Sequence, residues 1–342
     1  MFSTRAANFT AISAAVIGIS LIGGCGGGGG VSTTSASNSS QATPPASSLA
    51  TSVPVPTYAA DSVEKSLFDQ LNVIRLSGGF GMLSQDPSLD TAAQNHASYV
   101  KTNYATPVNS SYFVSPDIYL VDAATGWLNA HVEKAGLPGF TGILPVNRIA
   151  AAGASYAYSG EVMAFNSHDT CLSGELDTVF HRGPLLSPMD MSIGMGFVDL
   201  GTSYGVCVFE PGYKTSPSRP PSGWIGVYPG DRQLRVPTGM PRGEAPDPAP
   251  EIPNATKGYP ISVYLNDNIR SVDTFTVTAV GASTATPVKL IMRADFPAYL
   301  SASEAHILPK QPLAAATTFN VVFKGTNVTG QSVEKSWSFS TL

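Results

Sequence analysis

Leu89-Asp90-Thr91-Ala92-Ala93-Gln94-Asn95-His96-Ala97-Ser98-Tyr99-Val100 is the stretch on which the reading of this chain turns. Leu89, Ala92, Ala93, His96, Tyr99 and Val100 recur at helical spacings and share one face. A Gln85-Asp86-Pro87 turn precedes them, so the pattern predicts a helix from about Ser88 to Asn103. His96 sits on the apolar face of that helix. It reads as a packed core histidine with satisfied nitrogens rather than as a ligand.

Working toward the N-terminus, Val63, Leu67, Leu71 and Ile74 predict a second amphipathic helix. Asp61 and Glu64 have capping-box spacing at its start, and Gly78-Gly79 closes it. Residues 26–57 are Gly, Ser, Thr, Ala and Pro with almost no large apolar side chains. Such a segment buries too little to offset chain entropy and reads as a flexible tether of roughly 30 Å end to end. Before it, Arg5, an apolar run from Phe9 to Leu21 and the small residues of Ile22-Gly23-Gly24-Cys25 form a secretory signal. The run is too short for an easy membrane span, which needs about 20 residues. Cys25 after two glycines resembles the lipobox of bacterial lipoproteins. That resemblance implies lipidation at Cys25, a membrane anchor, and an outer-membrane location in a Gram-negative cell, since Gly26 rather than Asp follows. Export also makes sense of three cysteines: with Cys25 lipidated, Cys171 and Cys207 remain, either as a disulfide or as two buried thiols.

Toward the C-terminus, 104–158 is loop-rich. Glu175–His181 reads as a short helix, and Ile193–Val198 and Tyr204–Phe209 read as strands joined by a turn. This mixture predicts an α+β domain over 58–236. Prolines gather over 237–253, which reads as a stiff linker. Beyond it, Ile261–Leu265, Thr274–Val280, Val288–Met292, Thr318–Phe323 and Ser336–Ser340 read as strands of a β-sandwich over 254–342.

The net charge of −5 and a charged fraction of only 13% come without any basic run, which argues against nucleic acid as a partner. There is no Gly-x-Ser-x-Gly elbow, no His-Glu-x-x-His helix and no phosphate-cradling glycine loop. His168, in a polar turn, reads as solvated, and His306 reads as structural or exposed.

The 65–230 region resembles the CAP superfamily, also called SCP-like. The resemblance rests on ordered pieces: Leu71-Asn72-x-x-Arg75, Asp86-Pro87-x-Leu89, Ala92-Ala93-Gln94-Asn95-His96-Ala97-x-Tyr99, Pro138-Gly139-Phe140-Thr141-Gly142, Gly160-Glu161, Phe180-His181-Arg182 and Ile193-Gly194-Met195-Gly196. It implies a three-layer α-β-α sandwich with a cleft of two histidines and two acidic or hydroxyl residues, in some members holding a divalent metal. Carried over residue by residue, the cleft would be His131, Glu161 and His181, with Glu133 or Glu175 as the fourth member. Val162 stands where the family usually has Asn, and the segment around Glu175 is shortened. His131 and His181 would be ligands to an ion such as zinc, and a His beside a Glu could act as general base. The C-terminal region resembles a bacterial Ig-like domain through Leu313, Thr318-Phe319-Asn320-Val321 and Trp337-Ser338-Phe339-Ser340-Thr341.

Three functions follow as expectations. The first is a surface module whose cleft binds a small apolar ligand (the family is linked to sterols and fatty acids), a metal or a partner. The second is a metal-assisted hydrolase of peptide or cell-wall material. The third is an envelope scaffold with a relic cleft. Fold alone does not choose among them.

Overall fold

The computed structural model describes residues 49–156, 158–189, 191–201, 204–214, 218–240 and 243–342. The signal, the lipidation candidate Cys25 and most of the expected tether lie outside the described residues. The end of that tether does not hang free. The Met82 amide donates to the Ala50 carbonyl at 2.8 Å, and the Thr57 amide donates to Gln85 Oε1 at 2.6 Å. Pro45–Leu342 forms one compact unit. Among the described residues no helix is long and apolar enough to cross a membrane.

The first predicted helix is α1, Val63–Ser77. Its N-cap is Ser62, whose Oγ accepts from the Lys65 amide, so the Asp61–Glu64 capping box is replaced by a simpler cap one residue on. The deciding stretch is α2, Pro87–Tyr104, capped by Asp86 with Pro87 in its first turn. Smaller helices follow: α3 Pro145–Ala151, α4 Cys171–Leu176 and α5 Arg182–Leu185. The helix expected over Glu175–His181 is thus two short helices, with His181 in the turn between them.

Strands of the first half are β1 Ser84–Gln85, β2 Ala105–Val108, β3 Ser111–Val114, β4 Tyr158–Ser159, β5 Val162–Ser167, β6 Met191–Asp199 and β7 Tyr204–Tyr213. The main sheet runs β1-β6-β7-β4, with β5 also paired to β7, while β2 and β3 form a separate hairpin. Alternation along the strands sends side chains to two different cores. Met163, Phe165, Val206 and Val208 pack with Ala93, Ala97 and Val100 of α2. Val162, Ile193, Met195, Cys207 and Phe209 pack with Leu67 and Leu71 of α1 and Leu172 and Leu176 of α4. Helices therefore lie on both faces of the sheet, and the chain is α+β.

The glycines of Ile193-Gly194-Met195-Gly196 have a steric reason. A Cβ on Gly194 would stand 2.1 Å from the Leu89 carbonyl carbon, and one on Gly196 would stand 2.5 Å from that of Ala93. The backbone of α2 rests directly on β6, which only glycine permits. Asn72 and Arg75 are equally specific. Asn72 exchanges hydrogen bonds with both backbone groups of Leu83. Buried Arg75 donates to the carbonyls of Gly81, Leu185 and Ser187, and burial lowers its pKa to about 9. Cys171 and Cys207 are joined, with Cα atoms 6.0 Å apart, tying α4 to β7.

The second half contains β8 Ile225–Tyr228, β9 Gln233–Val236, β10 Ile261–Leu265, β11 Ile269–Ala279, β12 Val288–Met292, β13 Glu304–Pro309, β14 Thr318–Asn327 and β15 Ser332–Thr341. They form two four-stranded sheets, β12-β13-β10-β8 and β11-β14-β15-β9. Trp337 and Phe339 are buried in the core these sheets share. Two boundaries differ from expectation. Strands β8 and β9, read as the end of the first domain at 236, hydrogen-bond into the C-terminal sheets. The proline-rich stretch 237–253 is no free spacer either: Met240, Ala249 and Ile252 are buried with Val179 and Phe180 of the first half. Its apolar residues, sparse among the prolines, found a surface to cover. β13 was not anticipated, and it buries His306 completely.

Candidate functional site

Two histidine clusters occupy the region where one cleft was expected. The larger one centres on Glu161, just ahead of β5. Its Oε1 lies 2.7 Å from His131 Nδ1 and 3.5 Å from His96 Nε2. Its Oε2 accepts from Arg148 Nη2 on α3. Glu133 receives His96 Nδ1 at 3.0 Å and also accepts from the amides of Thr141 and Gly142. That explains the run ending in Thr141-Gly142: its backbone clamps a carboxylate. Glu210 on β7 lies 3.9 Å from Arg148 Nη2. The side chains of His96, Glu133, Arg148, Glu161 and Glu210 have no solvent exposure, while that of His131 is 14% exposed.

Hydrogen-bond logic assigns the protons. His96 Nδ1 faces the Glu133 carboxylate, and Nε2 lies 2.8 Å from the Ala130 carbonyl. Both partners are acceptors, and only a ring with hydrogens on both nitrogens satisfies both. Burial opposes ionisation of Glu161, but Arg148, then His96 and His131, outweigh it and hold its carboxyl far below the ordinary range. Glu133 is likewise held low: burial works against it, and His96, the Thr141 amide and Arg148 prevail. Glu210 goes the other way. Burial, reinforced by the negative charge of Glu161, drives its carboxyl well above the ordinary range, so it stays neutral. His131 is the member that reaches outward. Its Nδ1 is held by Glu161, while Nε2 takes no hydrogen bond among the described residues.

The smaller cluster surrounds His181. Its Nδ1 lies 2.7 Å from Glu244 Oε1 and 3.9 Å from Glu175 Oε2. Glu244 comes from the proline-rich stretch and also accepts from the backbone amides of Val179, Phe180 and His181. Burial pulls the His181 pKa down, but Glu175 and then Glu244 raise it to about 9. Burial resists the ionisation of Glu244, yet His181 and the amides keep its carboxyl below the usual range.

The expected set is therefore split. His131, Glu133 and Glu161 meet, whereas His181 and Glu175 belong to the second cluster, and the two histidines share no partner. Zinc needs three or four donors converging on one point. Among the described residues no three His, Cys, Asp or Glu side chains are so placed, and His131 and His181 stand in separate clusters with no shared partner. This arrangement does not fit a zinc site built on His131 and His181. Sequence reasoning missed Arg148, Glu210 and Glu244. It placed His96 correctly in the core but not among the charges. The one available signal for His96 was a basic residue inside an otherwise apolar helix face.

No protein-family model and no curated protein matches the chain. Solved structures similar to part of it include an extracellular protein containing an SCP domain from Bacillus anthracis str. Ames, at 18% identity and a TM-score of 0.31, covering 44% of this chain and 40% of that one. An outer surface protein from Borrelia burgdorferi is similar at 15% identity and a TM-score of 0.32, covering 46% of this chain and 97% of that one. A copper resistance protein from Escherichia coli is similar at 13% identity and a TM-score of 0.22, covering 34% and 95%. The chain thus spans less than half the length of the Bacillus protein. Likenesses at these scores are too partial to transfer a property.

Proposed function

We propose that this chain is an exported, lipid-anchored envelope protein whose first half is a CAP-like domain that binds a small apolar ligand without chemically altering it. The observation that carries the binding reading is the setting of His131. Trp127 stands edge-on to its ring with centroids 6.0 Å apart. Trp127, Leu120 and Val121 are 42%, 57% and 63% exposed. All three sit on one short antiparallel turn, in which Val121 bridges to Leu128 and the Asn129 amide donates to the Leu120 carbonyl. Large apolar side chains gathered in the open beside a polar group mark a binding surface. The Cys171–Cys207 bond supports export, since such bonds persist in oxidising compartments. The anchor at Cys25 and the Ig-like reading of the second half are parts of the same proposal.

Titration of the purified protein with palmitate and with cholesterol, followed by tryptophan fluorescence, tests it. Saturable binding is expected with at least one of the two, weakened about tenfold by Trp127→Ala (the equivalent of 1.4 kcal/mol) and kept in His181→Ala. Silence with both lipids in the folded wild type defeats the reading.

One observation favours a second reading, hydrolysis. Glu161 on Nδ1 of His131 fixes the tautomer and leaves Nε2 as a base. Its third expected member, His181, stands with other partners, which ranks it below binding. Turnover of peptide or cell-wall fragments that disappears in a folded His131→Ala variant would reverse that order.

A further inference from the structure

Away from His131, where the first half meets the C-terminal sheets, the surface encloses a cavity of about 570 Å3. Tyr158 and Tyr299 belong to its wall and are 67% and 54% exposed. Neither ring is unsupported. Buried Tyr213, also of the wall, packs on Tyr158 with centroids 5.4 Å apart. Buried Phe180 packs on Tyr299 with centroids 5.3 Å apart. Each exposed ring is thus steadied by a buried one.

The charge offered by this wall is of one sign. Arg219 and Arg293 line it, and both are exposed. Backbone of the same wall holds each head: Arg219 Nη1 donates to the Asn266 carbonyl at 3.3 Å, and Arg293 Nη1 donates to the Leu300 carbonyl at 3.2 Å. Among the described residues neither arginine forms an ion pair with a carboxylate. Among the described residues Glu304 is the one acidic member of the wall, and its carboxylate is not presented to the cavity. Its Oε1 accepts from the Ser301 amide at 2.5 Å, and its Oε2 is sealed from solvent, 3.4 Å from His306 Nε2.

Two accessible guanidinium groups without a carboxylate suit an anion, and a ligand carboxylate fits them because it accepts two parallel N–H hydrogen bonds. The exposed tyrosine rings suit a body with an apolar face, since C–H groups of slight positive charge are drawn to the negative face of the ring. The rest of the wall includes polar groups, the Asn268 amide and the Ser301 and Ser303 hydroxyls. A hydrocarbon would strip water from them without replacing its hydrogen bonds. A pyranose offers both an apolar C–H face and hydroxyls at its edge. We propose that this cavity binds an acidic oligosaccharide, its ring faces on Tyr158 and Tyr299 and its carboxylates accepting from Arg219 and Arg293. The cavity volume lies within the range of small-molecule sites. The proposal does not rest on the His131 reading.

Calorimetric titration of the full chain with trigalacturonate, its neutral methyl ester and phenylacetate tests it. Trigalacturonate is expected to bind one to one, and the ester about tenfold more weakly. Arg219→Gln and Arg293→Gln should each weaken trigalacturonate about tenfold and leave the ester unchanged. Lys335→Gln removes the same charge from exposed β15, outside the cavity, and should change neither. Tyr158→Ala should weaken both saccharides. Four results would overturn the proposal: no binding of trigalacturonate, equal binding of the ester, tighter binding of phenylacetate than of trigalacturonate, or a loss in Lys335→Gln equal to that in the two arginine variants.

Discussion

Around Glu161 every charge comes from the first half of the chain and is sealed from solvent, with His131 alone reaching the surface. Around His181 the decisive carboxylate, Glu244, arrives from the proline-rich stretch, and the histidine keeps 29% of its side chain exposed. The first cluster balances Arg148 and a doubly protonated His96 against Glu133 and Glu161, with Glu210 held neutral. Loss of Arg148 or His96 would strand a buried carboxylate. The second is one histidine at an edge between two carboxylates, Glu244 at 2.7 Å and Glu175 at 3.9 Å, with Glu244 closed by three backbone amides. It can titrate without disturbing the sheet. Two histidines that looked equivalent in the chain thus sit in opposite electrostatic settings: one anchors a rigid network at its outer edge, and the other fastens the proline-rich stretch to the first half.

The sharpest way to break the comparison is Arg148→Met. It removes the cation that faces Glu161, Glu133 and Glu210 and should cost about 3–5 kcal/mol in urea unfolding, because uncompensated buried carboxylates remain. A loss under 1 kcal/mol would mean the network is not held by charge. Gly194→Ala comes next. It presses α2, and His96 with it, off β6, and overpacking of this kind costs about 1–3 kcal/mol or more. A variant with unchanged melting temperature would show that α2 does not rest on the strand.

Glu244→Gln should cost about 1.5–3 kcal/mol, the range for hydrogen bonds to a charged group, and should leave the Glu161 cluster intact. It also sharpens the contrast through pH. The folded pKa of His181 is raised to about 9 from an ordinary value near 6.5. The folded state therefore holds a proton that the unfolded chain releases. The stabilisation is complete below about pH 6.5 and is lost as pH rises through about 9. Wild-type stability should decline across that window, and the decline should flatten in Glu244→Gln. An equal slope in both proteins would remove Glu244 as its cause. The smallest effect belongs to His131→Gln, about 1 kcal/mol or less, since Arg148 and His96 still hold Glu161. A larger loss would move His131 from the edge of the network to its centre.

Much of the scaffold was legible in the chain. Apolar spacing located α1 and α2 within a residue or two of their observed starts, and short β-rich runs bounded by turn signals located β6, β7, β10 and β12. The Asn72 and Arg75 pattern and the Gly194-Gly196 pair were visible as motifs before their contacts were known. Strands β8, β9 and β13 were not legible. β8 and β9 are only four residues each, and β13 carries Glu304, His306 and Pro309 among its six residues, so no apolar run marks it. The site was half legible. His131, Glu133 and Glu161 are near one another in sequence and meet in the fold. His181 was assigned to them, and Glu244 was hidden in a stretch whose prolines suggested a spacer.

What the sequence by itself determined, then, is which faces are apolar, where backbone must approach backbone, and which residues can carry charge. These are properties of short windows, set by helix and strand periods and by the absence of a Cβ. Only the tertiary structure decided which carboxylate meets which histidine. His181 and Glu244 are 63 residues apart, and no local period records that pairing. It exists because buried Met240, Ala249 and Ile252 bring the stretch down onto Val179 and Phe180, and the charge follows the packing.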